Sequence, residues 1–461
     1  MHHSTANADS RLSFWLRVRE FAVPPSMIES ATARRTTGDW AGACAAAHVD
    51  VDLNLRQAAH AHGQEFAAHL RTDLRHLAPD LLRWHMPRIA PDGLLRPGLT
   101  VSLAQYEPAG HGGGSTVHLV ARTPPPWADA GQRISLALWD GPRAGIGLHP
   151  HPRPHRRFRL DLHRHLWDVR RVGELRVRSG ADRPPDDGRR APNLDVPLER
   201  GCAVDRWADE AWMLLREEGR AGGAVVVRLG GRRRLVLEPV ADGAASGPPA
   251  LQITTALARD GGSALPVLPD AATWVLPDLA LLRAGLIEAD RLHPLVASAL
   301  VPGHAPAVAP RLPDGGARPR LVECRGAQHR IDLVNGVLVP LDHDPGEIRR
   351  EKLLAALTGT PLPCLQVIDQ AHRNPACLID VRARLDHGDT AGALATVEGL
   401  LGPGAALPGG ALRDELETEA QRRIDHGLFR AGLAGLGQGP AARPGRPSRG
   451  DRARPRRATS R

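Results

Sequence analysis

The densest group of side chains that could do chemistry lies between residues 149 and 168, where five histidines and two aspartates occur together. They are His149, His151, His155, Asp161, His163, His165 and Asp168. Neutral imidazole is the commonest metal ligand among side chains, and zinc also accepts carboxylate oxygen. The segment is therefore a candidate site for zinc or another divalent metal.

The alternation of apolar and polar residues over 157–165 predicts a β-strand. Phe158, Leu160 and Leu162 would face the core, and the polar residues between them would share the opposite face, about 7 Å apart per step. Metal ligands are then expected among His163, His165, Asp161, His149 and His151, with His85 or His118 completing the set.

The favoured interpretation of this segment is nevertheless a solvated strand face without a metal. Arg157, Arg159 and Arg164 are interleaved with the histidines and would repel a cation. No cysteine or glutamate lies within the segment to strengthen a ligand set. The sequence therefore predicts no cofactor, and zinc or another divalent metal is the alternative.

Two other segments place histidine beside aspartate. Residues 342–344 read Asp-His-Asp, and residues 386–389 read Asp-His-Gly-Asp. Either segment could supply a histidine–carboxylate pair for general base catalysis. Turns and helix caps also favour aspartate at such positions, and that structural role is the preferred interpretation.

Several enzyme classes are excluded by missing residues. Lys352 is the only lysine, and it follows Glu351 rather than the glycines of a phosphate-binding loop. It also lacks the strand context of a protein-kinase lysine. The sequence contains no GxSxG, HExxH or GxGxxG motif. No standard nucleophile or dinucleotide-binding motif is therefore present.

The five cysteines are too far apart for a short metal-binding or redox motif, since none lies within four residues of another. They are Cys44, Cys202, Cys324, Cys364 and Cys377. A sparse, odd number is typical of buried free thiols in a reducing compartment. The first residues lack a signal-peptide pattern, and no apolar run is long enough to span a bilayer. We therefore expect a cytoplasmic protein without a membrane partner.

The net charge of +9 is concentrated at the end of the chain. Residues 438–461 hold eight arginines and one acid, Asp451, and so carry +7 of it. Their composition, rich in proline and glycine and lacking Leu, Ile, Val and Phe, predicts a disordered tail. Such a tail can contact polyanions weakly and with strong salt dependence. The expected contacts are Arg443, Arg446, Arg449, Arg452, Arg454, Arg456, Arg457 and Arg461.

The elements that must position these groups indicate an α+β protein with two mixed β-rich regions, antiparallel hairpins and C-terminal helical hairpins. We predict six regions from the periodicity and the turn residues. They are a helical region over 1–95, a β-rich region with the histidines over 96–178, a linker over 179–200, an α+β region with two β-hairpins over 201–344, a helical region over 345–436, and the disordered basic tail over 437–461.

Local patterns predict the main elements. Apolar residues at three- and four-residue steps predict a buried helix face at Phe66, Leu70, Leu74, Leu77 and Leu81. Alternation predicts strands over 99–103, 116–120, 133–138 and 157–163. Ser26 and Glu29 match a capping box, and residues 279–300 resemble one helix. The turn residues Gly230-Gly231 and Asn335-Gly336 predict the two hairpins.

A helical hairpin is predicted near the C-terminus, with one apolar stripe at Leu378, Val381 and Leu385 and a second at Leu394, Val397 and Leu401. Its turn, Gly388-Asp389, repeats Gly38-Asp39 at an offset of 350 residues, with matching neighbours on both sides. Two related helical hairpins would explain the match. Ordinary helix–turn–helix chemistry in an alanine-rich chain explains it as well, and is preferred.

Three functional hypotheses remain. The leading one is a non-enzymatic protein-interaction or accessory protein whose partner is another protein. The first alternative is a metal- or His/Asp-dependent hydrolase centred on residues 149–168. The second alternative is a nucleic-acid-associated regulator that binds through the basic tail.

Overall fold

The computed structural model describes most of the chain. The described residues are 3–107, 116–129, 131–141, 149–183, 201–229, 233–240, 250–255, 265–304, 320–324, 326–334, 337–358, 362–373, 378–401 and 410–433. The predicted tail, most of the predicted linker, Cys377 and the turn residues 230–231 and 335–336 lie outside the described residues.

The first part of the chain forms helices and one short strand. These elements are α1 (His3–Phe21), α2 (Pro25–Thr36), α3 (Trp40–Ala46), β1 (Val49–Val51), α4 (Leu55–His62), α5 (Gln64–His76) and α6 (Pro79–His85). The predicted stripe from Phe66 to Leu81 is buried, with no member more than 3 % exposed. The predicted capping box is wrong, because Pro24 is the N-cap and Ser26 already lies inside α2. Pro25 fits the first helical position, where no N–H is needed.

The next strands complete a four-stranded sheet and a small ribbon. They are β2 (Arg88–Ile89), β3 (Leu94–Leu95), β4 (Thr100–Tyr106), β5 (Val117–Arg122) and β6 (Ile134–Trp139). The sheet has the order β1-β6-β5-β4, in which β1 and β6 are parallel and the other pairs antiparallel. Three of the four strands predicted in this region are thereby confirmed.

The fourth predicted strand, over 157–163, is wrong. The segment touches β4 through one isolated bridge between Arg159 and Ser102. It then turns through short-range bonds, with the His163 N–H donating to the Leu160 carbonyl and the Leu166 N–H to the His163 carbonyl. Because these bonds curl the chain, the alternation of faces is lost. Phe158 and Leu160 are buried, but so are His163 and His165, which are 1 % and 4 % exposed. The expected solvated strand face is therefore absent.

The middle of the chain forms a second antiparallel sheet, and helices precede and follow its strands in the sequence. The elements are α7 (Leu175–Ser179), α8 (Trp207–Glu217), β7 (Val225–Arg228), β8 (Arg234–Val240), β9 (Ala250–Thr255), α9 (Asp270–Thr273), α10 (Pro277–Arg283) and α11 (Pro294–Leu300). The single helix predicted over 279–300 is wrong. Gly285 has a φ of +64°, which ends one helix, and Pro294 begins the next.

The last elements are a three-stranded antiparallel sheet and five helices in the described residues. They are β10 (Arg320–Cys324), β11 (Ala327–Val334), β12 (Val337–Pro340), α12 (Pro345–Thr358), α13 (Pro363–Arg373), α14 (Leu378–Asp386), α15 (Thr390–Leu401) and α16 (Ala411–Arg430). Strand pairing confirms both predicted β-hairpins. The helical hairpin is also confirmed, except that Leu394 is 43 % exposed rather than part of its apolar stripe.

The two Gly-Asp turns form the same local structure. Gly38 and Gly388 have φ angles of +82° and +84°. Asp39 accepts a hydrogen bond from the Gly42 N–H at 2.8 Å, and Asp389 accepts one from the Gly392 N–H at 2.9 Å. Each aspartate also pairs with an arginine five residues earlier, over 3.0 Å in both cases.

One large core joins the N-terminal helices, the four-stranded sheet and helices α10 and α11. Three smaller cores lie under the second sheet, within the helical hairpin, and between the third sheet and α13. The domain limits proposed from the sequence remain predictions. Within the described residues, no helix combines the length and apolarity needed to cross a membrane.

Candidate anion-binding cavity

A cavity with a volume of about 930 Å³ opens between α1, the end of α6, the segment 157–166 and the turn before α10. Arginine side chains dominate its polar lining. They are Arg11, Arg19, Arg88, Arg96, Arg157, Arg159, Arg178, Arg206 and Arg233. Among the described lining residues, Asp270 is the one acid.

Carboxylates neutralise some of these arginines. Arg19 forms two hydrogen bonds to Asp278, at 2.8 and 2.7 Å, in a pair that is almost wholly buried. Arg157 forms a bidentate ion pair with Asp270 in the same way. Two more ion pairs restrain the cavity lining: Arg159 with Asp161, and Arg178 with Glu210. These carboxylates fix the positions of four guanidinium groups.

Three lining arginines have no ion pair with a described carboxylate. Arg96 is exposed at the rim. Arg206 is 6 % exposed and donates to the backbone carbonyls of Arg178 and Trp274. Arg88 donates to the carbonyls of Arg83 and Gly93, and its buried Nε has no hydrogen-bond partner. Burial lowers the pKa of both the Arg88 and the Arg206 guanidinium; the nearby Arg83 and Arg19 lower that of Arg88 further, whereas Glu210 and Asp205 partly oppose the effect at Arg206.

Two histidines line the same cavity. The Nδ1 of His85 lies 3.2 Å from the Leu81 carbonyl and 3.1 Å from the Leu166 carbonyl, so this nitrogen carries the proton. Its buried Nε2 has no hydrogen-bond partner, nor has the Nδ1 of His165. Burial lowers the pKa of His85 to about 4 and also lowers that of His165, so both rings are neutral at pH 7.

Aromatic side chains give the cavity an apolar part. Trp15, Trp84, Phe158 and Trp274 contribute to the lining. The Arg19 guanidinium lies 4.5 Å from the centre of the Trp84 ring, and that of Arg11 lies 4.8 Å from the Trp274 ring. Guanidinium groups stacked on rings keep their edges available for hydrogen bonds. The arrangement suits a ligand with an anionic group and a flat apolar group.

The structure brings His163 and His165 together, with ring centres 5.7 Å apart. His163 already has a partner at each nitrogen, because Nδ1 donates to the Arg159 carbonyl at 3.0 Å and Nε2 lies 3.1 Å from Glu210 Oε2. Although burial opposes it, His163 and Arg178 hold the pKa of the Glu210 carboxyl well below its usual range. His163 is thus hydrogen-bonded to a buried ion pair between Glu210 and Arg178.

The other predicted ligands lie elsewhere or are bonded to protein groups. Asp161 accepts from Arg159 and from the Gln105 amide. His149 is bonded to the Thr123 carbonyl at 2.9 Å, and its Nδ1 accepts from the His151 N–H. Of the two histidines expected to complete the ligand set, His118 is hydrogen-bonded to Ser102, and His85 lines the cavity. A metal site within 149–168 remains a prediction.

Neither of the two histidine–aspartate segments forms the pair that its sequence suggested. His387 donates from Nε2 to the Asp92 carbonyl, while Asp389 binds Arg384. His343 lies 3.4 Å from Glu347, not against a flanking aspartate. Asp342 instead accepts from Arg330.

Sequence reasoning missed the cavity. Its arginines lie between residues 11 and 233, and no two of the three unpaired ones are neighbours in sequence. The total charge of the chain does not reveal the cavity, because it sums arginines and acids without regard to their positions.

No protein-family profile matches this chain, and comparisons with curated proteins and with solved structures found no match.

Proposed function

We propose that this protein is a non-enzymatic binding protein that holds a phosphate-bearing organic anion in the arginine-lined cavity. The observation that carries the proposal is the surplus of guanidinium groups, with Arg88, Arg96 and Arg206 lacking carboxylate partners. A buried cation without a counter-charge is costly, and a bound anion would remove that cost. The proposal makes the accessory role inferred from the sequence more specific.

The chemistry of the lining supports phosphate. A guanidinium group presents its N–H donors as a planar fork that matches two phosphate oxygens. The cavity volume of about 930 Å³ lies within the range of small-molecule sites. Trp15 and Trp274, both half-buried, add apolar ring surface beside the charged groups, so a nucleotide-like ligand fits the combination of charge and ring.

The test uses three probes with the purified full-length chain: adenosine diphosphate, pyrophosphate and uncharged adenosine. Binding is followed by calorimetry and by quenching of tryptophan fluorescence. We expect adenosine diphosphate to bind more tightly than adenosine, and the affinity to fall as salt screens the arginines. The variant Arg96→Glu should weaken binding about tenfold or more, which corresponds to roughly 1.4 kcal/mol.

The matched control is Arg56→Glu, which changes an exposed arginine of α4 outside the cavity. It should bind adenosine diphosphate as the unmodified protein does. Absence of saturable binding for both anionic probes would contradict the proposal. Equal weakening by the two variants would also contradict it, because the effect would then come from overall charge.

A second candidate is binding of another protein through the C-terminal helices. Ile379 of α14 and Ile424 of α16 are 71 % and 56 % exposed. The two helices are held together by Arg382–Glu415 and other ion pairs, so these side chains stand on one packed unit. We propose that these two side chains belong to one apolar patch, because contiguous exposed apolar patches mark protein contacts.

Affinity capture from the source cells, compared between the unmodified chain and an Ile379→Glu/Ile424→Glu variant, tests this candidate. Loss of a captured protein from the variant would support it, and unchanged capture would contradict it. The hydrolase centred on 149–168 and the nucleic-acid regulator remain predictions.

A further inference from the structure

Two cysteines and a histidine meet beside the third sheet, far from the arginine-lined cavity in sequence. Cys324 is the last residue of β10, His343 follows β12, and Cys364 lies in the first turn of α13. The antiparallel register of β10, β11 and β12 returns the chain from Cys324 to the neighbourhood of His343. One ligand atom from each of the three residues lies within 4.8 Å of the other two.

The three side chains are shielded from solvent. Cys324 and Cys364 are 1 % and 0 % exposed, and the side chain of His343 is 3 % exposed. Around a tetrahedral zinc ion, with bonds of about 2.0–2.3 Å, neighbouring ligand atoms lie roughly 3.5 Å apart. The observed separations, all within 4.8 Å, therefore need to close by no more than about 1.3 Å.

The two ring nitrogens of His343 have different surroundings. Its Nδ1 lies 3.4 Å from a carboxylate oxygen of Glu347, whereas the buried Nε2 has no hydrogen-bond partner. A ring nitrogen facing a carboxylate, with the other nitrogen free, is the arrangement that orients histidine toward a metal. The ring of His329 stacks on that of His343, with centres 4.1 Å apart, and limits its rotation.

The core beneath this sheet is small, so a bound metal would add to the stability of this part of the fold. Its buried members in the described residues are Cys324, Ile331, Leu362 and Cys364, with four half-buried apolar side chains packed against them. So few apolar side chains stabilise a unit weakly, and small units commonly rely on a disulfide or a metal. Both thiols occupy core positions where a bound ion would join β10, the end of β12 and α13.

We propose that Cys324, His343 and Cys364 bind one zinc ion, with water as the fourth ligand. Two thiolates and one imidazole form a set that zinc prefers over magnesium or calcium. On binding, both S–H bonds break, two sulfur–zinc bonds form, and the two protons pass to solvent. No oxidation or reduction takes place.

The experiment measures metal in the full-length protein purified under reducing conditions. Elemental analysis should find about one zinc per chain, the stoichiometry of a single site. Removal of zinc by a chelator and reloading with cobalt should give the visible and thiolate charge-transfer absorption of tetrahedral cobalt. Cys324→Ser, His343→Gln and Cys364→Ser should each lose most of the metal, and Cys202→Ser should keep it.

The cobalt spectrum of the unmodified protein keeps the test valid if a variant fails to fold. Absence of zinc together with absence of a thiolate–cobalt band in the reduced protein would overturn the proposal. Full metal content in a folded Cys324→Ser/Cys364→Ser variant would also overturn it, as would a disulfide between these two residues in the reduced preparation. Binding of adenosine diphosphate is a separate readout, so failure here and failure of the proposed function are distinguishable.

Discussion

The guanidinium of Arg83 donates to the backbone carbonyl of His387 over 2.9 Å, although 304 residues separate them in the chain. Arg83 is fully buried and also donates to the carbonyls of Ala22 and Gln132. One side chain therefore joins the end of α1, the loop before β6 and the turn of the C-terminal helical hairpin. The hairpin can approach because Gly388 lacks a side chain: a Cβ there would lie 2.3 Å from the Gly131 carbonyl oxygen.

Replacing Arg83 with methionine should strongly destabilise the protein. Each buried carbonyl left without a donor costs about 1–3 kcal/mol, so the three together should lower the free energy of unfolding by roughly 3 kcal/mol or more. Urea denaturation followed by circular dichroism measures the change. Arg71→Met, at an exposed position of α5, is the control and should stay within about 0.5 kcal/mol. Equal costs for the two variants would refute the role given to Arg83.

Stability should fall as the pH drops below about 6.5, the ordinary pKa of histidine in an unfolded chain. Burial lowers the pKa of His387 to about 3 and that of His85 to about 4. Because the folded pKa is depressed, the unfolded chain binds protons first, and this contribution is fully present above the unfolded value. It is lost progressively as the pH falls toward the folded values.

Urea midpoints measured between about pH 8 and pH 4.5 test this dependence, since most carboxylates stay ionised over that interval. The variant His387→Gln should show a shallower fall. A midpoint independent of pH over the interval would show that these rings are not held neutral in the folded protein.

The two Gly-Asp turns should contribute differently to the stability of the protein, although both form the same hydrogen bond and ion pair. Asp389 is 6 % exposed, and Asp389→Ala should cost about 1–2 kcal/mol through loss of its helix cap and its pair with Arg384. Asp39 is exposed and its ion pair is screened by water, so Asp39→Ala should cost less. Thermal unfolding of the two variants gives the order, and the reverse order would contradict this account.

The double variant His163→Ala/His165→Ala should be costly, because both rings are buried. Removing His163 takes a partner from Glu210 inside the protein, and we expect a loss on the order of 3 kcal/mol. A solvated face would instead cost only about 0.5 kcal/mol. His60→Ala/His69→Ala, at exposed positions of α4 and α5, is the matched control.

Metal analysis of the same variant tests the hydrolase hypothesis. Stoichiometric zinc lost from this variant, but kept in Cys324→Ser, would place the metal in the 149–168 segment and not beside the third sheet.

Deletion of residues 438–461 should leave the melting temperature nearly unchanged, because the segment has no Leu, Ile, Val or Phe to contribute to a core. Any binding to duplex DNA should be lost with it and should weaken steeply with salt. Differential scanning fluorimetry and fluorescence anisotropy measure the two effects. Salt-resistant DNA binding by the truncated chain would instead favour a nucleic-acid surface in the folded part.

The sequence by itself determined the elements whose patterns are local. The stripe from Phe66 to Leu81, three strands of the first sheet, both β-hairpins and the turn at Gly388 follow from periodicity and from residues that accept a positive φ. These features depend on neighbours within a few residues. Backbone sterics and burial of one face are sufficient to specify them.

Only the tertiary structure decided the fate of residues 157–165. Alternation predicts a strand, but it does not decide whether the segment pairs along the free edge of β4. Beside β4 the chain forms one bridge and then curls, and His163 meets Glu210 from a helix 47 residues away. Ion pairing with Arg178 and Glu210 offsets the burial of polar groups that the sequence pattern assigns to solvent.

The two candidate sites were also decided by the tertiary structure. The cavity collects arginines from α1, β2, the 157–159 segment and α7, and the proposed zinc ligands come from β10, the segment after β12 and α13. Composition reports the sum of the charges but not their positions, and short-spacing motifs cannot detect ligands 19 and 21 residues apart. Packing of distant elements, driven by burial of their apolar faces, brings these groups together.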